Sequence, residues 1–263
     1  MAGASPIGKV VQVNVEGIRA HTAPRTAVVW AVLRAELDRR AGEPLRVLDV
    51  GGGTGGFAVP LAQAGHRVTV VDASPDALAA LIRRATEAGV AERIDAVQGD
   101  ADKLSDVADP ASVDLVLCHS VLEVVDSPIA AAEAVAAVLR PQGVASVLVA
   151  NRAAAVLSRA LSGNLEQAAT LLDDPDGRAA ARDTLLRRFD APQAEALLTA
   201  AGLKVEQIHG VRVVADLVPG ALLDSEPGAY DALLHFELRA AGRSPYRDLA
   251  TQLHLLARRA EPR

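Results

Sequence analysis

The chain has one cysteine, Cys118, in 263 residues, and only 2% of its residues are aromatic. A lone thiol excludes an intrachain disulfide framework and any metal cluster built on several thiolates, so a reducing, cytoplasmic setting is the expectation. Scarce rings leave few platforms for stacking unpaired bases. Positive charge is not in excess either: 27 Lys and Arg stand against 33 Asp and Glu, for a net charge of -6. That excludes the broad basic surface of a sequence-neutral nucleic-acid binder but leaves room for a local contact. Long apolar runs are missing as well. The longest near the middle, Ile129 to Leu139, is interrupted by Glu133 and is too short to span a bilayer. No N-terminal stretch joins basic residues, a continuous apolar run and a small-residue cleavage site, so neither a signal peptide nor a membrane segment is expected.

What is abundant is core material: 50% of the residues are hydrophobic, enough for one large domain or a domain with an appended lobe. Residues 10–15 alternate like a strand but have no obvious partner, and the first 20 residues stay unassigned. Thr22 to Arg40 reads as an amphipathic helix, with Pro24 in its first turn and Val28, Val32, Leu33 and Leu37 on one face; Gly42, Glu43 and Pro44 end it. An alternation follows: strand 45–50, helix 56–64, strand 67–71, helix 75–88, strand 93–98, strand 113–118, helix 127–139 and strand 143–150. Short β-branched strands separated by helices predict an α/β fold with a parallel, doubly wound sheet. From Asn151 to about Asp190 the sequence turns polar and helix-prone, with Gly163-Asn164 and 173–177 as breakers, which predicts a helical lid inserted between core strands. Helix 191–201, strand 204–214, helix 227–241 and a last strand 251–258 complete the pattern. The expectation is one domain: an N-terminal cap 1–44, a core 45–150, the insertion 151–190 and a sheet completion 191–263.

The stretch from Arg46 to Ser74, RVLDVGGGTGGFAVPLAQAGHRVTVVDAS, fits two motifs at once. Gly51-x-Gly53-x-x-Gly56 is a dinucleotide fingerprint; Asp49-x-Gly51-x-Gly53-x-Gly55 is an S-adenosylmethionine (SAM) signature. In either case glycines let backbone N–H groups approach a ligand between a strand and a helix N-terminus. Asp72, closing the second strand, is placed to accept hydrogen bonds from both hydroxyls of a ribose, which either ligand carries. Asp49 discriminates: a carboxylate beside a diphosphate would be repelled, whereas a sulfonium ligand with an ammonium group favours it. Asp100, after the third strand, is either a partner for an adenine amino group or an ordinary loop-end aspartate.

With Asp49 to Gly55, Asp72 and Gly99-Asp100-Ala101 in this order, the chain resembles class I SAM-dependent methyltransferases. The resemblance implies a Rossmann-like seven-stranded sheet with helices on both faces and an antiparallel last strand near 251–258. It also implies that Gly51, Gly52 and Gly53 line the methionine part of SAM, Asp72 and Ala73 the ribose, and Asp100 and Ala101 the adenine. More narrowly, Pro24 to Trp30, Cys118 to Asp126, Ser162-Gly163-Asn164, Gly210-Val211-Arg212-Val213 and Ser244-Pro245-Tyr246 resemble tRNA carboxymethoxyuridine methyltransferases, which form a methyl ester on the wobble uridine. That resemblance implies that Arg25 binds the SAM carboxylate and that His119 contacts the cofactor. By residue type alone Arg25 reads first as a solvated helix arginine, and His119 is equally a core histidine. Cys118, pointing opposite to His119, reads as core.

Departures from that family cluster where an acceptor would be read. Val214-Ala215-Asp216-Leu217 stands where the family has aromatic and histidine residues. Instead of its lysine run, Arg178, Arg182, Arg187 and Arg188 are interleaved with Asp173, Asp174, Asp176, Asp183 and Asp190, the pattern of a solvated, salt-laced segment. The acceptor expected is therefore either tRNA or a small acidic molecule, with a cofactor-binding protein that transfers nothing as the alternative. A carboxylate acceptor is already deprotonated and needs no general base, so no catalytic acid or base is assigned. Arg212, by charge, and Asn151, just past the fifth strand, are the candidates for orienting the acceptor; Arg212 is equally a strand-surface arginine. No metal site is expected.

Overall fold

The computed structural model describes residues 24–40, 42–179 and 183–260. The strand-like stretch 10–15, the first two residues of the expected N-terminal helix, and Arg182 lie outside them. The helix that follows, α1 (Ala27–Asp38), begins three residues after Pro24, which sits in the preceding turn. The alternation is β1 (Arg46–Val50), α2 (Ala58–Gln63), β2 (Arg67–Asp72), α3 (Pro75–Glu87), β3 (Ile94–Gln98), β4 (Val113–His119), α4 (Pro128–Val138) and β5 (Leu139–Ala150). Then come α5 (Arg152–Leu161), α6 (Leu165–Asp173), α7 (Ala191–Ala200), β6 (Leu203–Val211), α8 (Gly220–Ser225), α9 (Ala229–Ala240) and β7 (Gln252–Arg259).

Helix starts follow a repeated local chemistry. Ser74 and Ser127 each precede a proline at the first helical position, and each hydroxyl accepts the N–H three residues on. Asp190 and Gln193 form a reciprocal capping box at α7, again with proline in the first turn. Each cap satisfies N–H groups that the helix itself cannot.

The seven strands form one sheet in the order β3-β2-β1-β4-β5-β7-β6. The first five strands run parallel, and β7 is antiparallel to both neighbours, as the expected last strand required. Both faces are covered. Leu48, Val50, Val116 and Val147 pack with Val135 of α4 and Leu198 of α7, while Val47, Leu115 and Leu117 pack with Leu33 of α1, Leu61 of α2 and Leu81 of α3. Cys118 belongs to the first cluster and is core, as expected. Strand order reverses between β1 and β4, which opens a crevice at their carboxyl ends, where open α/β sheets bind ligands.

Besides helix ends shifted by a few residues, three departures from expectation have a local cause or signature. The turn foreseen at 141–143 is absorbed into β5 as an irregularity, with Gln142 at φ 63° and a register shift against β4. Strand β6 stops at Val211 because Arg212 adopts φ 60°, outside extended geometry. The short α8 has no amphipathic signature in sequence; it follows Pro219 directly.

Candidate functional site

The loop after β1 turns on glycines. Gly51 sits at φ 67°, and a Cβ there would lie 2.5 Å from Val121 Cγ2. At Gly52 a Cβ would meet Asp49 Cγ at 2.6 Å and Val70 Cγ1 at 2.8 Å. Gly56, which completes the dinucleotide pattern, has open space around it and so is not needed for close approach.

Behind this loop Asp49 is 3% exposed, and its Oδ2 has no hydrogen-bond partner among the described residues. Burial first, then the charge of Asp72, pushes its carboxyl up to about 7. Asp72 Oδ2 accepts the Gly53 N–H at 2.9 Å and Oδ1 accepts the Ser74 N–H at 2.9 Å, which fixes the carboxylate at the end of β2. A cleft of about 600 Å³ opens over these groups, lined by Gly51, Asp72, Ala73, Asp100, Ala101 and Ser120 among others. Asp100 is held by Lys103 at 3.2 Å. The donor set fits SAM: an unpartnered buried carboxylate suits an ammonium group, and Asp72 keeps lone pairs for ribose hydroxyls.

Of the expected cofactor contacts, Gly51, Asp72, Ala73, Asp100 and Ala101 line this cleft, Asp49, Gly52 and Gly53 lie in or behind the loop beside it, and Arg25 and His119 stand apart from it. Arg25 is exposed, and its guanidinium meets Asp216 at 3.4 Å. His119 Nε2 lies 2.9 Å from Ser146 Oγ, which lies 2.8 Å from His254 Nε2; the His119 ring also meets Phe57 edge-on at 4.7 Å. Ser146 has one proton, so it donates to one imidazole and accepts from the other, and one ring must carry its proton on Nε2. Burial holds His119 and His209 down to about 4, with Arg247 adding to the shift at His209, and burial, with His209 and His119 adding to it, holds His254 well below the ordinary imidazole range. All three are neutral at physiological pH. Burial likewise pushes the Cys118 thiol up to about 12, with Glu123 and Asp49 adding to it, which leaves it inert as a nucleophile.

A second cavity, of about 640 Å³, lies beside the first and shares Ser120 with it. Ser120 has φ 58° and its hydroxyl accepts from Gln252 Nε2 at 3.1 Å. Asn151 and Arg212 both line this cavity. The Asn151 amide, however, is spent on structure: Nδ2 donates to the carbonyls of Asp248 and Ala250 at 2.9 and 2.8 Å, and Oδ1 caps α5 through the Ala153 N–H at 3.0 Å. It builds the wall, with little capacity left to orient an acceptor. Arg212 differs, since its Nε has no hydrogen bond among the described residues and only an ion pair with Asp216 at 3.4 Å.

The backbone at Arg212 is strained by about 1–3 kcal/mol for a non-glycine residue. It is held by Thr251, whose N–H donates to the Arg212 carbonyl, and by Glu237 of α9, wholly buried, which accepts the N–H groups of Val213, Val214 and Ala215 at 2.8 Å each. Sequence reasoning missed Glu237, whose only signal is an acid inside the apolar stripe of Leu233, Leu234 and Ala240. It also missed Ser120 as the residue common to both cavities.

Glu123 is buried in the wall, where Oε1 accepts the Ala150 N–H at 2.8 Å, and burial raises its pKa despite Arg187 and Arg188. Of the described arginines of the interleaved segment, Arg187 and Arg188 turn inward, while Arg178 stays exposed and bonds the neighbouring backbone. Arg188 forks onto Asp183 at 2.6 and 3.1 Å, Arg187 donates to the carbonyls of Leu122 and Val125, and Arg178 to that of Leu186. Around the cavity mouth stand Leu157, Leu161, Leu217, Tyr246 and Leu249, each more than two-fifths exposed.

Asp49 behind the loop disfavours a diphosphate there, and the seven-stranded order with an antiparallel β7 is the one the resemblance implied; the chain belongs to the class I SAM-dependent methyltransferases. A methyltransferase-domain family description matches residues 48–147. The tRNA 5-carboxymethoxyuridine methyltransferase of Escherichia coli (strain K12) is 30% identical over 238 residues, covering 90% of this chain and 88% of its own. A ubiquinone biosynthesis O-methyltransferase of Xylella fastidiosa (strain 9a5c) is 34% identical over 169 residues, 64% of either chain. Among solved structures, a SAM-dependent methyltransferase from Mesorhizobium loti superimposes with a TM-score of 0.62 at 19% identity, covering 90% of this chain and all of that one. Magnesium protoporphyrin IX methyltransferase from Synechocystis PCC 6803, solved with bound SAH (S-adenosylhomocysteine), gives 0.59 at 16% identity, covering 97% and 90%. At these identities the structural likeness speaks for the fold. No helix among the described residues is long and apolar enough to cross a membrane.

Proposed function

We propose that the chain methylates a carboxylate, and that the acceptor is the carboxymethoxy group of a modified tRNA wobble uridine. The observation that carries this reading is Arg212, a guanidinium with no hydrogen bond at its Nε among the described residues, set in the wall of a cavity that meets the cofactor cleft at Ser120. A planar cationic fork is suited to a carboxylate. The tRNA assignment draws its support from the Escherichia coli relative, which covers nearly the whole chain.

SAM, when bound, supplies a methyl group on an already activated sulfonium sulfur. The residues of the chain then have to bind and orient. Asp72 and Ala73 take the ribose, Asp100 and Ala101 the adenine, and Gly51 to Gly53 with Asp49 the methionine part, whose carboxylate falls to Arg25. His119 supports this end of the site through Phe57 and Ser146. Arg212 orients the acceptor carboxylate toward Ser120. The exposed leucines at the mouth offer apolar surface for a docked acceptor to cover, and water displaced in that way would strengthen those contacts. An anionic nucleophile brought into line needs no proton transfer, so positioning does most of the catalysis.

A second reading, a small apolar acid as acceptor, is favoured by one observation: the ring of exposed leucines with Tyr246 around the cavity mouth. Methyl-labelled SAM incubated with tRNA bearing 5-carboxymethoxyuridine, and in parallel with a panel of aliphatic and aryl acids, separates the two. Base-labile label in the tRNA is expected. Label that enters only the acids replaces the first reading by the second.

A further inference from the structure

Asp216 stands between two arginines that this reaction uses for different partners. One carboxylate oxygen, Oδ1, lies 3.4 Å from Arg25 Nη2; the other, Oδ2, lies 3.4 Å from Arg212 Nε and accepts the Thr251 hydroxyl at 3.0 Å. The backbone is built to keep it there. Arg212 is held at φ 60° by Thr251, and the next three N–H groups are taken by the buried Glu237, so the peptide leading into Asp216 is anchored at three consecutive donors. The side chain itself remains about a quarter exposed, at 27%, on the wall of the acceptor cavity. It is a resident carboxylate at the place where two visiting carboxylates are to be gripped.

We propose that Asp216 is a specificity-determining residue that competes with the cofactor's carboxylate for Arg25 and with the acceptor's for Arg212. The inference rests on Arg25 gripping the cofactor, as stated above. Two anions on one guanidinium repel each other, so Asp216 lowers the affinity of the site for carboxylates. With the Arg25 side chain 66% exposed, solvent screens the pair and the competition is severalfold, far from prohibitive. Mild competition suits turnover. The demethylated product keeps its amino-acid carboxylate and has to leave, and Asp216 is at hand to take Arg25 back. The two arms are also linked. A carboxylate on Arg25 leaves Asp216 to Arg212, and one on Arg212 leaves it to Arg25, so donor and acceptor sense each other through one side chain.

Calorimetric titration of the full chain with SAH and with methylthioadenosine, which lacks the amino-acid part, tests this without any acceptor. Asp216→Asn keeps an oxygen for the Thr251 hydroxyl and removes the charge. Its Kd for SAH is expected to fall about threefold while that for methylthioadenosine stays put, and the gain is expected to vanish in an Arg25→Gln background, as a double-mutant cycle requires. Asp216→Glu, which keeps the charge, is expected to bind SAH as the wild type does. Unchanged or weaker SAH binding in Asp216→Asn, or an equal change for methylthioadenosine, overturns the proposal. If Arg25→Gln alone leaves SAH affinity intact, the Arg25 assignment falls first and takes the proposal with it; failure of the tRNA reading, which is assayed by label transfer, leaves both untouched.

Discussion

Asp49 pays for its position with its own ionisation. Buried behind the glycine loop and faced by Asp72, its carboxyl is raised to about 7, far above an unfolded aspartate near 3.9. Between those two values the folded chain holds a proton that the unfolded chain has released. Stability from this residue is therefore complete below about pH 4 and declines as pH rises toward 7. The loss between pH 5 and pH 8 is on the order of 2–3 kcal/mol from Asp49 alone. The depressed His119, His209 and His254 act oppositely: the fold gains stability as pH climbs past their folded values toward 6.5. Urea unfolding of wild type and Asp49→Asn at both pH values separates the two, because the histidines contribute equally to each protein. The wild type is expected to lose ground relative to the variant by pH 8; parallel changes would show that Asp49 ionises normally. In return the site keeps a carboxyl that a cationic ligand can help to ionise.

At the scale of elements, α9 earns its place through one side chain. Glu237 reaches from its buried face to three consecutive N–H groups after β6, and so fixes both Arg212 and the segment that bears Asp216. Glu237→Ala strands those donors in the interior, and a destabilisation of about 3 kcal/mol or more is expected in urea unfolding, with the acceptor KM rising further than kcat falls. A loss under 1 kcal/mol would mean that water replaces the carboxylate. This clamp also marks the limit of what sequence reveals. The run from β1 to β4, the glycine loop and the carboxylate closing β2 were legible because strand periodicity, Ser-Pro and Asp-Ala-Pro caps and turn glycines are local signals. Glu237 and Val213 lie 24 residues apart, Ser120 and Gln252 132, so no window of sequence pairs them. Asn151 misled for the same reason: its partners Asp248 and Ala250 are nearly a hundred residues away, and only the fold shows its amide already engaged.

For the whole molecule, ligand binding and folding share one ledger. SAH at a hundred times its Kd stabilises a protein that binds it only when folded by about 2.7 kcal/mol, which for a chain of this size corresponds to roughly 5–10 °C in Tm. Differential scanning fluorimetry is expected to show that rise with SAH and none with NAD; a rise with NAD alone would contradict the role given to Asp49 behind the loop. The sheet order has a consequence for synthesis. Strand β7, made after both, lies between β5 and β6, so each of those leaves N–H and C=O groups unpaired along an edge until β7 itself has emerged. The cavity proposed for the acceptor draws its wall from Thr251 and Gln252, at the head of that strand, so the nascent chain can complete its glycine loop long before that cavity exists.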